Sequence, residues 1–126
     1  RIYEKHRTGT FYEIDADGNK VTRIVGNSYE IVAGTEYVNV KGDVNLTVDS
    51  NCNTYIKGNW NIQVDGDKTE VVTGKVSETY KDTKTENVTG AVSETYQANQ
   101  TTNITGTLDL DASSEVDIDA GVINLN

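Results

Sequence analysis

The chain has 126 residues, with 11 Lys or Arg against 20 Asp or Glu, and its net charge of −9 suits one acidic domain and excludes a basic nucleic-acid-binding surface. Seven Tyr, one Trp, one Phe and no Met are too few large side chains to fill the core of a monomer. The single cysteine, Cys52, excludes an internal disulfide framework and a cysteine-based zinc site, and no apolar run approaches the length of a membrane span.

Residues 1–37 are predicted to form a collar that leads into the rest of the chain. Both faces of its strands are expected to be partly covered, because apolar residues also stand at odd positions. These odd residues are Phe11, Val21, Val25, Tyr29, Ile31 and Tyr37. Within the collar, the turn-forming segment from Asp15 to Lys20 separates two short apolar runs and predicts a hairpin near 11–24.

Two features of the collar could carry chemistry. The segment from Asp15 to Asn19 has the opening of a calcium loop, but its twelfth position is Gly26 instead of Glu, so a plain turn is favoured. His6 is the only histidine and has no partner at the spacing of a triad or a metal motif, so a collar role is favoured over a threefold trio of His6 side chains. No catalytic residue and no metal ligand are predicted.

From Gly18 onward, glycines mark a period of eight residues. An apolar residue usually stands two positions before each mark and Asn or Asp often follows it, which is typical of a strand end that leads into a turn. Ser50, Asp82, Ala98 and Ser114 fill the marks that lack glycine. The predicted structural corners are Gly26, Gly34, Gly42, Gly58, Gly66, Gly74, Gly90 and Gly106.

An even period keeps each position on the same face of its strand. Over residues 38–120, the predicted shaft, even positions are largely apolar and odd positions are mostly polar, with Tyr55 and Val71 as exceptions. Each eight-residue unit, or octad, is thus predicted to be a half-buried strand followed by a corner. The predicted core residues are Val32, Val40, Val48, Ile56, Trp60, Val64, Val72, Val88 and Ile104.

A single strand cannot bury its own apolar face, so the octads need neighbours. Single-chain solenoids repeat over about 18 to 24 residues with three kinds of corner, whereas every octad here carries the same corner. This favours an all-β fold in which three identical chains form an intertwined homotrimeric triangular β-helix, or β-prism, with an eight-residue repeat. The alternative left open is one chain that coils with about 24 residues per turn.

Charged residues interrupt the even face between about residues 68 and 102. They are Lys68, Glu70, Glu78, Lys84, Glu86 and Glu94. Buried unpaired charge is costly, so we predict internal layers in which Lys and Glu of neighbouring chains pair around water or incidental ions. The alternative is that these side chains reach solvent beside the corners. No cofactor is expected.

The chain is predicted to close in a tip at residues 121–126, with Gly121 shifting the pattern. The outward acidic ladder before it is interpreted as a solubilising face in preference to a cation site. This ladder consists of Asp109, Asp111, Glu115, Asp117 and Asp119. Val122, Ile123 and Leu125 leave an apolar end on an acidic shaft and predict a tip-binding partner.

The repeat consists of an apolar residue, any residue, Gly and then Asn or Asp. It resembles the octapeptide repeat in the central spike of contractile-tailed phages, which is the C-terminal β-helix of the baseplate lysozyme and spike protein. The VgrG spikes of type VI secretion are similar. The opening segment 7–19 resembles the lead into that shaft. The resemblance implies a homotrimeric needle of the virion baseplate that pierces the host outer membrane when the sheath contracts and reaches the periplasm. It also implies a PAAR-like tip protein at the C-terminal end and a tail tube or baseplate hub on the N-terminal side.

The resemblance does not extend to catalysis. A lysozyme domain would lie upstream in the full-length protein, and no residue here matches it or the His-x-His iron-binding apex of shorter spikes. An enzyme is therefore not expected. A second hypothesis is a trimeric receptor-binding tail-fibre or adhesin shaft, but Tyr55 is the one outward aromatic of the shaft, too few for a carbohydrate platform.

Overall fold

The computed structural model describes all 126 residues and contains strands and extended segments but no helix, so no helix could cross a membrane. Its three strands are β1 (Ile2–Lys5), β2 (Phe11–Ile14) and β3 (Lys20–Arg23). They form one antiparallel sheet in the order β1-β2-β3, which we call the N-terminal sheet. The predicted all-β class is confirmed, while all strand pairing within the chain lies in this sheet.

The register of the N-terminal sheet makes β2 its centre. Ile14 pairs with Ile2 of β1 and with Lys20 of β3, and Phe11 pairs with Lys5 and Arg23. The hairpin expected near 11–24 is therefore present. Only residues 9–15 are half-buried, and every other residue of the chain is exposed, because β2 alone has a strand on each side.

Two tight turns reverse the chain between these strands. In the first, the His6 N–H donates to the Thr10 carbonyl at 2.8 Å; in the second, the Asp15 N–H donates to the Asn19 carbonyl at 3.0 Å. Gly9 has φ +98° and Gly18 has φ +82°, and these are the only residues with positive φ. Glycine adopts this conformation without the steric cost that a Cβ brings, which explains its presence in both turns.

Beyond Arg23 the backbone is extended and bends at regular intervals. The chain contains two compact units, Arg1–Gln63 and Val64–Asn126. In the first unit, bends follow the sheet at 25–26, 33–34, 41–42, 49–50 and 57–58. In the second unit, they lie at 65–66, 73–74, 81–82, 89–90, 97–98, 105–106 and 113–114. The spacing is eight residues throughout, whether or not the corner holds glycine.

Gly121 shifts the glycine pattern by one position, whereas the backbone bends keep their spacing. The backbone bends at Gly121, eight residues after the first residue of the bend at 113–114. The glycine stands one position before the next mark, so it occupies the first place of the bend where earlier glycines occupy the second. The spacing of the bends therefore continues to residue 121.

The extended segments after Arg23 do not pair with one another. A single-chain coil requires pairing between segments about 24 residues apart, because successive turns of such a coil hydrogen-bond to each other. No strand pairing of this kind occurs in the chain. This finding contradicts the alternative of a single-chain solenoid.

The chain by itself has no core. Its solvent-accessible surface is 14184 Å², and no residue is buried. A folded monomer of this mass exposes about 6,600 Å² and a fully unfolded chain about 20,000 Å². The nine predicted core residues are 44% to 69% exposed in the single chain. In the single chain, most of the surface that folding normally removes from water is therefore exposed to solvent.

Candidate functional site

The even-numbered face of the extended segments is the candidate functional surface. Adjacent residues illustrate the difference between the faces: Ile31 is 93% exposed and Val32 46%, while Val71 is 87% exposed and Val72 58%. The even member of each pair directly precedes a bend and stands two positions before its glycine. Alternation with period two thus separates an apolar face from a more open polar one.

The corner glycines do not need the conformational freedom of glycine. None of them has positive φ, and a Cβ added to any of them would meet no atom of its own chain within 4 Å. The sequence leaves two reasons for glycine at Gly58, positive φ or close approach, and the first is wrong. Any close approach at these corners must come from another molecule.

The charged residues of the even face form ion pairs within one chain. Lys68 Nζ lies 3.3 Å from Glu70 Oε2, and Lys84 Nζ lies 2.9 Å from Glu86 Oε1. The prediction that Lys and Glu of neighbouring chains pair around water or ions stays a prediction, and these two pairs are the contacts that one chain supplies. Residues two apart on a strand share a face, so each Lys reaches the next Glu along its own segment. Glu78 and Glu94 make no ion pair.

The pair at Lys84 has further partners. The Lys84 ammonium lies 5.1 Å from the centre of the Tyr80 ring, a cation–π contact that Lys68 lacks. The hydrogen bond with Glu86 and the charge of Glu86 raise the pKa of Lys84, and the charge of Glu78 acts more weakly in the same direction. Lys84 therefore offsets acidic charge from two successive octads.

The N-terminal sheet has its own side-chain contacts. Arg1 Nε donates to Glu13 Oε1 at 2.7 Å, and the Arg1 guanidinium lies 4.9 Å from the centre of the Tyr3 ring. Tyr3 and Phe11 pack with ring centres 6.0 Å apart. These residues connect β1 to β2 on one face of the sheet. The sheet is thus held by contacts that a single chain supplies.

Asp15 forms a plain turn, as the residues after it predict. Its carboxylate accepts hydrogen bonds from the N–H groups of Asp17 and Asn19 at 2.9 Å and from Asn19 Nδ2 at 3.1 Å. The backbone and side-chain hydrogen bonds from Asn19 hold the pKa of Asp15 below its ordinary value. These hydrogen bonds close the turn within the chain.

The structure does not bring His6 and Cys52 together in a metal-binding group. His6 Nδ1 accepts the Thr8 N–H at 3.3 Å, and Cys52 is an exposed free thiol. No three His, Cys, Asp or Glu side chains lie together in a group that could hold a metal ion. A shallow depression on the sheet is lined by Glu4, His6, Thr10, Phe11 and Tyr12. Val122, Ile123 and Leu125 are exposed.

Comparison with known proteins gives one partial match. A stretch of 55 residues, 44% of the chain, is 46% identical to Protein Gp5 of Vibrio phage KVP40. The match covers 13% of that protein's length, so this chain corresponds to a small part of it. No family model matches the chain. No solved structure matches it either. The chain is therefore similar, over less than half its length, to part of a phage protein.

Proposed function

We propose that this chain is the shaft of a phage tail spike, in which three copies wind around one axis as a triangular β-helix. The needle pierces the host outer membrane when the tail sheath contracts. One observation carries the proposal: beyond Arg23 the backbone bends every eight residues, presents an apolar even face and pairs with no strand of its own.

The unpaired backbone calls for partner strands. Backbone N–H and C=O groups are obligatory hydrogen-bonding groups, and strands with exposed apolar faces and open edges tend to associate. The chain cannot supply these partners, because it contains no strand pairing beyond the N-terminal sheet. Other copies would supply them in a closed arrangement that leaves no long edge. Because every octad has the same kind of corner, identical chains suit this role.

The exposed area supports a permanent assembly. The surface of 14184 Å² exceeds that of a folded monomer by on the order of 7,500 Å². Obligate interfaces bury about 2,000 to 5,000 Å² or more, and reversible contacts bury less. An intertwined trimer that covers the even face of every octad suits this excess better than the docking of preformed monomers.

Assignment to the phage tail baseplate has two supports. The octad and the segment 7–19 resemble the central spikes of contractile tails, and the 55-residue match is to a phage protein, Gp5. On this basis the chain is a structural part of the virion, with a tail tube or baseplate hub on its N-terminal side. Any lysozyme activity would belong to a domain upstream of this chain, and this segment would act through shape and stiffness.

The inner face and the tip complete the proposal. Lys68, Glu70, Lys84 and Glu86 would line polar layers in which each lysine is paired within its chain, at 3.3 Å and 2.9 Å. Glu78 and Glu94 have no such lysine and would face water or incidental ions. At the end of the shaft, Val122, Ile123 and Leu125 would bind a PAAR-like tip protein through their exposed apolar side chains.

The test is the mass of the chain in solution by light scattering, repeated after exposure to SDS without heating. We expect three times 13.8 kDa before and after SDS, because interchain strands must unwind before the copies can separate. A monomer would overturn the proposal. Binding of the purified trimer to intact host cells would favour a receptor-binding adhesin over a needle, since a needle needs the force of contraction.

A further inference from the structure

The second compact unit contains an internal duplication. Residues 67–82 and 83–98 are identical at 11 of 16 positions. The differences fall on four odd positions and on the corner, where Asp82 corresponds to Ala98. All seven other even positions are the same in both copies. The face proposed to meet the other chains is therefore repeated almost without change after sixteen residues.

The two copies also have the same local structure. The backbone bends at 73–74 and 81–82 in the first copy and at 89–90 and 97–98 in the second. Lys68 pairs with Glu70 as Lys84 pairs with Glu86. A chain displaced by sixteen residues along its neighbours would present the same Lys, Glu, Val and Tyr side chains in this stretch. Register is weakly specified when a shift preserves the faces and the side chains that meet, so this stretch cannot align three chains by itself.

The N-terminal sheet differs from the duplicated stretch in its sequence and in its strand pairing. Its sequence is not repeated elsewhere in the chain, and it is held together within one copy. It is also tied to the first bend, because the Val25 N–H donates to Thr10 Oγ1 at 3.1 Å. A Cβ on Gly9 would lie 3.5 Å from Val25 Cγ2, so the turn and the first bend are packed together. The sheet thus fixes where the repeat begins on each chain.

We infer that the N-terminal sheet of each copy binds the sheets of two other copies and so sets the axial register of the three chains. The inference rests on the proposed trimer. The sheet has two free strand edges, at β1 and β3, and exposed apolar side chains such as Ile2 and Tyr3. Such edges and side chains suit association with further copies of this chain. The octads of the three chains then pair in order, beginning next to the aligned sheets.

The experiment uses the full chain and its single thiol. In an aligned trimer, all three Cys52 residues lie in one layer of the core, where a small oxidant such as diamide joins two of the thiols in a disulfide; after a shift of sixteen residues, Cys52 of one chain lies level with Lys68 of another. The sheet is disrupted by Gly18→Val, since Gly18 has φ +82° and valine is strained there. The control is Lys75→Ala, which copies the residue at the equivalent position, Ala91.

We expect the parent and Lys75→Ala trimers to reach one cross-link per trimer, and Gly18→Val to form trimers with severalfold less cross-linking. Deleting residues 83–98 removes the duplication and preserves the eight-residue frame, so it should restore cross-linking to Gly18→Val. Undiminished cross-linking of Gly18→Val trimers would overturn the inference and assign alignment to the repeat. A Gly18→Val chain that remains monomeric with and without residues 83–98 would also overturn it. A monomeric parent would instead overturn the proposed function.

Discussion

The first 24 residues and the remainder of the chain both have an extended backbone, but only the first 24 residues pair their strands within the chain. In the N-terminal sheet, two turns with positive φ at Gly9 and Gly18 reverse the chain and bring β1, β2 and β3 together. After Arg23 no bend has positive φ at its glycine, and no segment returns to pair with its predecessor. Turn geometry therefore decides whether a strand finds its partner in its own chain.

The comparison separates two roles for glycine. Gly18 has φ +82°, so the single chain already requires glycine at this turn. Gly58 has neither positive φ nor a neighbour within 4 Å of a built Cβ. The equal spacing of these residues hides this difference in the sequence.

Polar substitution on the even face should have the largest effect and should leave the N-terminal sheet intact. Val72→Asp would bring three carboxylates into the proposed core, where unpaired charge is strongly unfavourable, and we expect most of the trimer to be lost. Light scattering measures the loss. Val71→Asp is the matched control, because Val71 is the adjacent valine on the open face. Equal effects of the two substitutions would contradict an inward even face.

Enlarging a corner should come next. Gly58→Val adds an isopropyl group whose Cβ would meet no atom of its own chain within 4 Å, so we expect any defect to arise between copies. We expect a marked loss of SDS-resistant trimer on unheated gels, with a milder loss for Gly58→Ala. Normal assembly of Gly58→Val would refute close approach at this corner.

The two lysines of the duplication should differ from each other. Lys84→Gln should lower the temperature at which the trimer dissociates in SDS more than Lys68→Gln does, because Lys84 has the shorter ion pair and the Tyr80 ring. The folded pKa of Lys84 is raised, so its stabilising contribution is present below the ordinary value of 10.5 and is lost as the pH rises through the raised value. If both substitutions lowered the dissociation temperature equally, the shorter ion pair and the Tyr80 contact of Lys84 would not persist in the trimer.

The smallest effect should be confined to the sheet. Asp15→Asn removes the charge that accepts from Asp17 and Asn19, so hydrogen-exchange protection of those two amides should fall. The folded pKa of Asp15 is lowered, so its contribution is full above the ordinary value of 3.8 and is lost as the pH falls through the lowered value. The parent and variant should converge in strong acid. A change in trimer mass would contradict a local role.

Sequence reasoning located the regular features of this chain well. The hairpin between β2 and β3 followed from the turn residues after Asp15, and the all-β class followed from period-two alternation. Strand β1 was not predicted, although Thr8-Gly9 is a turn signal between residues 2–5 and 11–14. The ion pairs within the chain could have been found from the Lys-x-Glu spacing, which places both side chains on one face.

The remaining errors have a common physical cause. A period of eight says where the backbone bends but does not give the φ of the residue at the bend, so Gly18 and Gly58 could not be distinguished. Likewise, the shift of Gly121 by one residue from the usual mark did not reveal that the backbone still bends there. Backbone dihedrals depend on what each bend must connect, and spacing alone does not encode them.

The lack of strand pairing after Arg23 also has a genetic consequence. If each octad pairs with octads of other copies, one variant chain should destabilise a trimer that also contains two parent chains. Its altered strand interrupts the sheet that the two parent chains form. Substitutions on the even face should then be dominant when parent and variant genes are expressed together. Substitutions confined to the N-terminal sheet that spare alignment should be recessive.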